Sequence, residues 1–320
     1  MQVFRTLAEL PASYSATVIA VGNFDGVHWG HRWIIDHARN RARELKARCI
    51  ALTFDPHPVR VLRPEATPRL ITPMPERLHL LANTGLDATV VLPFTKEFSH
   101  LSAEAFARDV LRNGLHAVEV HEGDNFRFGY QAQAGIAELA ELGKQLGFTV
   151  IAHHTRFIRG LPVSSSKIRE RIAAGDMTAA RALLGRPFAI RSTQARGRGI
   201  GSRLIVPTIN LARYEELLPA NGVYITRMKI GDKQESPVFN SVTNIGNRPT
   251  FGEAPFAIET HLLDFQRVDL TDDTPLELTF LRRIRGEIRF PSPEALKKQI
   301  LRDVTHAHRY FHLMRTLQSR

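Results

Sequence analysis

The segment from Ala16 to Arg39 constrains this chain more than any other. Its first part, Ala16-Thr17-Val18-Ile19-Ala20-Val21, is apolar and β-branched, the pattern of a buried parallel strand. Its last part, Arg32-Trp33-Ile34-Ile35-Asp36-His37-Ala38-Arg39, spaces its apolar residues as a helix does. Between them runs Gly22-Asn23-Phe24-Asp25-Gly26-Val27-His28-Trp29-Gly30-His31. The segment is therefore a strand, a glycine-bearing turn and a helix start. A helix start carries free N–H groups and a partial positive charge, and so suits an anion. Gly22, Gly26 and Gly30 let the backbone approach a bound group closely. His28 and His31 share one side of the first helical turn. Two imidazoles there suit a phosphate on which charge grows during reaction. An isolated H-x-x-H is more often a pair of surface histidines; here the strand, the glycines and the helix supply the context.

Alternation continues from this point. Strands are expected near Val18–Val21, Cys49–Phe54, Ala88–Leu92, Ala117–His121 and Thr149–His153, and helices near Trp33–Leu45, Pro75–Asn83, Ala103–Val110 and Ile136–Leu146. This order predicts an α/β unit with a Rossmann-like parallel sheet covered on both faces. Ligands of such sheets bind beyond the carboxyl ends of the strands. The motif-like stretches fall there: Asn23–His31, Phe54-Asp55-Pro56-His57-Pro58 and Gly123-Asp124-Asn125-Phe126-Arg127-Phe128-Gly129. Ser164-Ser165-Ser166-Lys167-Ile168-Arg169 follows, serines that cap a helix and basic residues that could close over phosphates.

The pattern changes after Gly185-Arg186-Pro187, so residues 1–186 and 187–320 are expected to be separate domains; 320 residues suffice for two cores. In the second, Gly and Pro turns punctuate short alternating runs at Gly222–Thr226, Val238–Ile245, Ala257–Phe265 and Leu276–Leu281, which predicts an antiparallel β-barrel or sandwich. A closing helix starts at Ser292-Pro293, with Leu296, Ile300, Val304 and Phe311 as its core stripe. The one cysteine, Cys49, rules out an intramolecular disulfide and lies in a strand expected to be buried, where it reads as a packed thiol rather than a nucleophile. No signal-peptide pattern is present and no run reaches the roughly 18 apolar residues of a membrane helix, so a cytoplasmic protein without membrane contact is expected. The net charge of +11 is spread along the chain without a basic tail, which favours small phosphorylated ligands over nucleic acid as partners.

These motifs resemble those of the bacterial bifunctional riboflavin kinase/FAD synthetases, over about residues 15–305. Gly22–His31 is similar to the histidine signature of the nucleotidyltransferase superfamily, Gly123–Gly129 to G-x-[DN]-F-x-F-G, and Ser164–Arg169 to S-S-[ST]-x-I-R. In the second half, Pro207-Thr208-Ile209-Asn210 matches P-T-x-N, Asn244–Phe251 matches N-I-G-x-R-P-T-F, Glu259–Phe265 matches the strand of the catalytic carboxylate, and Ile284–Phe290 resembles R-x-E-x-x-F. The resemblance implies two activities, phosphorylation of riboflavin by ATP to FMN and transfer of AMP from ATP to FMN to give FAD and pyrophosphate. It implies catalytic roles for His28, His31 and Glu259. It implies nucleotide and phosphate contacts for Gly22, Phe24, Asp25, Gly30, Asn125, Ser164, Ser165, Arg169, Gly197, Gly199 and Gly201. Flavin contacts would come from Phe54, His57, Pro58 and Arg285, and Mg²⁺ ligands from Thr208 and Asn210. A monomer or transient homo-oligomer is expected. The sequence departs from the family at Ile205-Val206, where Gly-Phe is usual before P-T-x-N, and at Ser192 to Gln194. The β-branched Ile205 resists positive φ, so a chain that makes FAD alone, with its second domain a flavin-binding or regulatory module, is the alternative.

Overall fold

The computed structural model describes residues 1–195, 208–246, 256–264 and 270–318. The chain divides into two compact units, Met1–Lys167 and Ile168–Arg320. The strands of the first are β1 (Gln2–Phe4), β2 (Thr17–Val21), β3 (Arg48–Asp55), β4 (Ala88–Pro93), β5 (Ala117–Gly123), β6 (Arg127–Phe128), β7 (Ala134–Gly135), β8 (Thr149–His153), β9 (Phe157–Ile158) and β10 (Leu161–Pro162). Six of them form a parallel sheet in the order β1-β4-β3-β2-β5-β8, and β6–β7 and β9–β10 are short antiparallel ribbons. The helices are α1 (Trp29–Glu44), α2 (Pro58–Leu62), α3 (Met74–Ala82), α4 (Lys96–Ser99), α5 (Ala103–Ala105, running on as a π-helical segment over Phe106–Gly114) and α6 (Ile136–Leu146). The short edge strand β1, half-exposed, carries too few apolar residues to be read from sequence.

The central strand shows why the apolar run at Val18–Val21 is unbroken. Val18 and Ala20 pack with Phe24, Ile35 and Ala38 on the α1 side, while Ile19 and Val21 pack with Val110, Leu111 and Leu139 on the opposite side. Both faces are buried, so every position is apolar. Each large aliphatic side chain buried this way contributes about 1.5–3 kcal/mol. From β2 the chain builds outward through β3 and β4, then crosses back to place β5 and β8 on the other side of β2. The direction of building thus reverses between β2 and β5. In open sheets that point is where ligands bind.

The second unit begins within α7 (Ser165–Ala173), followed by α8 (Met177–Leu184). α8 buries Met177, Ala180, Leu183 and Leu184 and packs on β11 (Phe188–Ser192) and on β16 (Leu276–Arg285). The units therefore part between Lys167 and Ile168, whereas the change of sequence pattern lies at Gly185–Pro187. The remaining strands are β12 (Thr208–Asn210), β13 (Gly222–Ile230), β14 (Val238–Gly246), β15 (Ala257–Leu262) and β16 (Leu276–Arg285). They form a curled antiparallel sheet in the order β11-β16-β13-β14-β15-β12. Past the two edge strands, Ala195 N–H donates to the Asn210 carbonyl at 2.8 Å and Ala212 N–H to the Thr193 carbonyl at 2.9 Å, which brings the edges together at one end. Inside, the hydroxyls of Thr226, Ser241, Thr243 and Thr260 form a buried hydrogen-bonded ladder across β13, β14 and β15.

The closing helix α9 (Pro293–Gln318) is capped by Ser292, whose hydroxyl accepts from Ala295 N–H at 3.2 Å. Val304, Ala307 and Phe311 pack on Val223, Ile225 and Val242. The expected stripe is corrected in its first half: Ile300 is exposed and Leu296 only half-buried, because the core contact begins at Val304.

Candidate functional site

The histidine motif sits at the carboxyl end of β2. Phe24 (φ 48°) and Val27 (φ 37°) are non-glycine residues in the left-handed region, with Gly26 (φ 87°) between them. Such backbone persists only where the surroundings enforce it, and it concentrates at functional sites. Asp25 supplies the enforcement. Its carboxylate accepts from Ile71 N–H at 3.1 Å and Thr72 N–H at 3.0 Å, and Arg77 approaches to 3.9 Å, with both charged side chains almost fully buried. Asp25, expected among the nucleotide-binding residues, thus has its carboxylate turned inward and pins the loop.

His28 is the N-cap of α1, its Nδ1 accepting from His31 N–H at 3.3 Å. The two imidazoles stack with ring centres 3.5 Å apart and 17° between planes. Phe24 meets His31 edge-on at 5.2 Å and lies against Gly22. A Cβ at Gly30 would stand 3.2 Å from the His28 ring, tight enough that the ring would have to shift. The serine motif joins the histidine motif: Ser165 Oγ donates to the Asp25 carbonyl oxygen at 2.9 Å, and Ser164 Oγ caps α7 by accepting from Lys167 N–H at 3.2 Å. Arg169 lies further along α7.

An aromatic wall stands beside this loop. Phe54, at the end of β3, has Phe94 at 5.8 Å and Phe98 at 5.7 Å, and shares its core with Phe128. His57 caps α2 through its Nδ1, and Pro58 is the first residue of that helix. Asn125 is exposed in the turn after β5, which Asp124 ties to the end of β8 through His153.

A second polar chain was not anticipated. Arg41 on α1 holds Glu119 with its Nε at 3.0 Å, Glu119 accepts from His121 at 2.9 Å, and His121 bonds His153 at 2.9 Å. Burial pushes the Glu119 carboxyl up, but the Arg41 and His121 hydrogen bonds outweigh it and leave it below its ordinary value. Burial, then Glu119's opposing attraction, leaves the His121 pKa lowered. Burial, with His121, His37 and Arg156 nearby, lowers His153 to about 4. The sequence signal was available: Glu119 and His121 interrupt a run that should be apolar. Cys49 is buried, and burial with Asp87 beside it pushes the thiol up to about 12, an inert state.

In the second unit the register aligns the candidate residues. Asn210 pairs with Glu259, Glu259 with Asn244, Asn244 with Val223, and Val223 with Arg285. Thr208 pairs with His261, two positions along. Directly opposite residues share a face, and Val223 places this one on the side covered by α9. Arg285 is committed within the protein, bonding Asp303 of α9 at 2.9 Å and 3.0 Å and the Gly286 carbonyl at 3.0 Å. The Glu287 carboxylate packs against Gly246 (φ 153°), so a side chain there would have to displace it and would adopt a strained backbone. Gly197, Gly199, Gly201, Ile205, Val206, Asn247 to Phe251 and Phe265 lie outside the described residues.

Comparison with known proteins follows these two units. The FAD synthetase family matches residues 10–167, and the riboflavin kinase family matches residues 184–311. The chain is 37% identical over 308 residues to the bifunctional riboflavin kinase/FMN adenylyltransferase of Pseudomonas fluorescens, covering 96% of this chain and 97% of that one. It is 31% identical over 315 residues to the protein of the same description from Escherichia coli (strain K12), covering 98% and 99%. A crystal structure described as a macrolide-efflux protein from Streptococcus pneumoniae superposes with a TM-score of 0.83 at 24% identity, covering 96% and 98%; that likeness is one of fold. Among the described residues, no helix is long and apolar enough to cross a membrane.

Proposed function

This chain belongs to the family of bifunctional riboflavin kinase/FMN adenylyltransferases, and we propose that its two units divide the two reactions between them. The protein phosphorylates riboflavin with ATP to FMN and adenylylates FMN with ATP to FAD, releasing pyrophosphate. A match to the riboflavin kinase family over residues 184–311 favours this over FAD synthesis alone.

In the first unit, an FMN phosphate oxygen attacks the α-phosphorus of ATP and pyrophosphate leaves. The nucleophile is already ionised near neutral pH, so no base is required. His28 and His31, stacked at the start of α1, would stabilise the charge that develops on the α-phosphate. The helix N-terminus adds to this. Ser164, Ser165, Asn125 and Arg169 would hold the nucleotide, and the Phe54 wall with His57 and Pro58 the flavin. The observation that carries this reading is the hydrogen bond from Ser165 to the Asp25 carbonyl, which joins the two phosphate-type motifs at the switch point of the sheet.

In the second unit, the riboflavin 5′-hydroxyl attacks the γ-phosphorus of ATP, ADP leaves, and Glu259 takes the hydroxyl proton. The row Asn210–Glu259–Asn244 supports this. Thr208 and Asn210 offer hard oxygen donors of the kind Mg²⁺ takes together with substrate phosphates, beside the Glu259 carboxylate. A bound Mg²⁺ would neutralise phosphate charge. Arg285 would act by fixing α9 over this face through Asp303 rather than by touching flavin. We infer a cytoplasmic enzyme of small-molecule substrates, monomeric or transiently self-associating, without nucleic-acid partners.

The test is chromatography of products after incubating the protein with riboflavin, ATP and Mg²⁺. FMN and FAD should both appear. FAD from supplied FMN, with no FMN from riboflavin, would leave only the first reaction standing.

A further inference from the structure

Glu122 is the last side chain of β5 before the Gly123–Phe126 turn, next to the point where the sheet reverses its order of building. It is 6% exposed. Its Oε2 accepts from Gly123 N–H at 2.8 Å. Its Oε1 is buried and has no hydrogen-bond partner among the described residues. The large majority of buried polar side-chain atoms are paired, so an unpaired carboxyl oxygen at a ligand crevice points to a partner that arrives with the ligand.

The direction of the side chain follows from strand alternation. Glu119 and His121 bond each other on the α1 side. Val120 lies in the opposite core, with Phe54 and Phe128. Glu122, two positions beyond Val120, faces the same way. It therefore belongs to the face of the aromatic wall and not to the Arg41–Glu119–His121–His153 chain. Burial pushes its carboxyl well above the usual carboxylate range, and the Gly123 N–H offsets only part of that; no charged side chain of β2, β8, α5 or α6 contributes.

We propose that Glu122 is the residue by which the first unit recognises the polar edge of its flavin substrate. The inference rests on the reading of the Phe54 face as the flavin wall. A flavin ring presents an N–H between two carbonyls, as uracil does. A neutral carboxyl presents a donor and an acceptor side by side. Oε1–H donates to a ring carbonyl, and Oε2 keeps a lone pair for the ring N–H beyond the one given to Gly123. An aromatic wall fixes the plane of a ring but not its rotation within the plane; Glu122 supplies the rotation. A valine in its place would pack equally well and read nothing.

The test compares FMN with 3-methyl-FMN, in which the ring N–H is blocked, as substrates for adenylylation by the full-length chain. The wild type should prefer FMN by about tenfold or more in kcat/KM, the scale of one lost buried hydrogen-bond pairing. Glu122→Leu should bring that preference to within about twofold, with the KM for ATP and the synthesis of FMN from riboflavin unchanged. Glu122→Gln, which keeps a donor and an acceptor, should restore the preference. A folded Leu variant that discriminates as the wild type does would overturn the proposal. So would a folded Glu122→Gln variant that uses FMN and 3-methyl-FMN equally well, which decides the matter if the Leu variant does not fold. If instead Phe54→Leu leaves the KM for FMN untouched, the flavin-wall reading beneath the proposal fails and takes the proposal with it.

Discussion

Ser165 Oγ donates to the carbonyl oxygen of Asp25 at 2.9 Å, although the two residues are 140 positions apart in the chain. This bond fixes the start of α7 against the loop that carries His28. Ser165→Ala should weaken it by about 1 kcal/mol, the net value of a typical hydrogen bond, and slow FAD formation by up to about tenfold. FMN formation from riboflavin should not change. Steady-state rates of both reactions check this, and an equal loss in the two would count against the site assignment.

Arg77 and Asp25 form a buried pair 3.9 Å apart, each 1% exposed. Removing one partner of such a pair commonly costs about 3–5 kcal/mol, because the other charge is left buried. Arg77→Met should therefore lower the thermal transition of the first unit by roughly 10 °C, on the usual scaling for a unit of this size. Calorimetry of the full-length chain reads this. A shift of a degree or two would mean that the backbone N–H groups of Ile71 and Thr72 suffice to hold Asp25.

His153 has its pKa lowered to about 4, through burial first and then His121, His37 and Arg156. The folded state thus resists a proton that the unfolded state accepts near pH 6.5. Stability from this residue is full above about pH 6.5, declines as pH falls, and is lost by about pH 4. The groups facing it are His121 from β5, His37 from α1 and Arg156 just past β8, with Glu119 and Arg41 reaching it only through His121. Urea midpoints measured from pH 7 to pH 4 should fall less steeply in His153→Asn than in the wild type. Parallel curves would exclude His153 as the source.

Gly246 takes φ 153° with the Glu287 carboxylate packed against it. Gly246→Ala should destabilise the second unit by about 1–3 kcal/mol through backbone strain, while the first unit melts as before. Separate transitions for the two units would show it; an unchanged second transition would mean that Glu287 moves aside at little cost.

The layered α/β unit was legible because a parallel strand buried on both faces must be apolar at every position, as Val18–Val21 is. The antiparallel barrel was legible from its turns. The histidine motif was legible because Gly30 and the cap at His28 are local features. What escaped depends on distant partners. Asp25 reads as a ligand residue until Thr72 and Arg77 are seen to fold over it. Arg285 reads as a flavin contact until Asp303, eighteen residues on, is seen to bind it. Glu122 lies between the expected strand and the Gly123 motif, and nothing local marks it as buried. Ile300 fits the helical stripe, yet the apolar contact of α9 with the barrel runs only from Val304 onward. Periodicity tells which face of a helix is apolar and not how much of its length is covered.

On the proposed assignment, two separate sites in one chain perform the two reactions. The most direct measurement is the product profile of His31→Ala and Glu259→Gln, each given riboflavin, ATP and Mg²⁺, and separately FMN, ATP and Mg²⁺. His31→Ala should make FMN at the wild-type rate and lose about 10²-fold or more of FAD formation, the usual cost of removing one transition-state donor. Glu259→Gln should lose about 10²–10⁴-fold of FMN formation, the usual contribution of a general base, and still convert supplied FMN to FAD. Either folded variant losing both reactions together would contradict the claim.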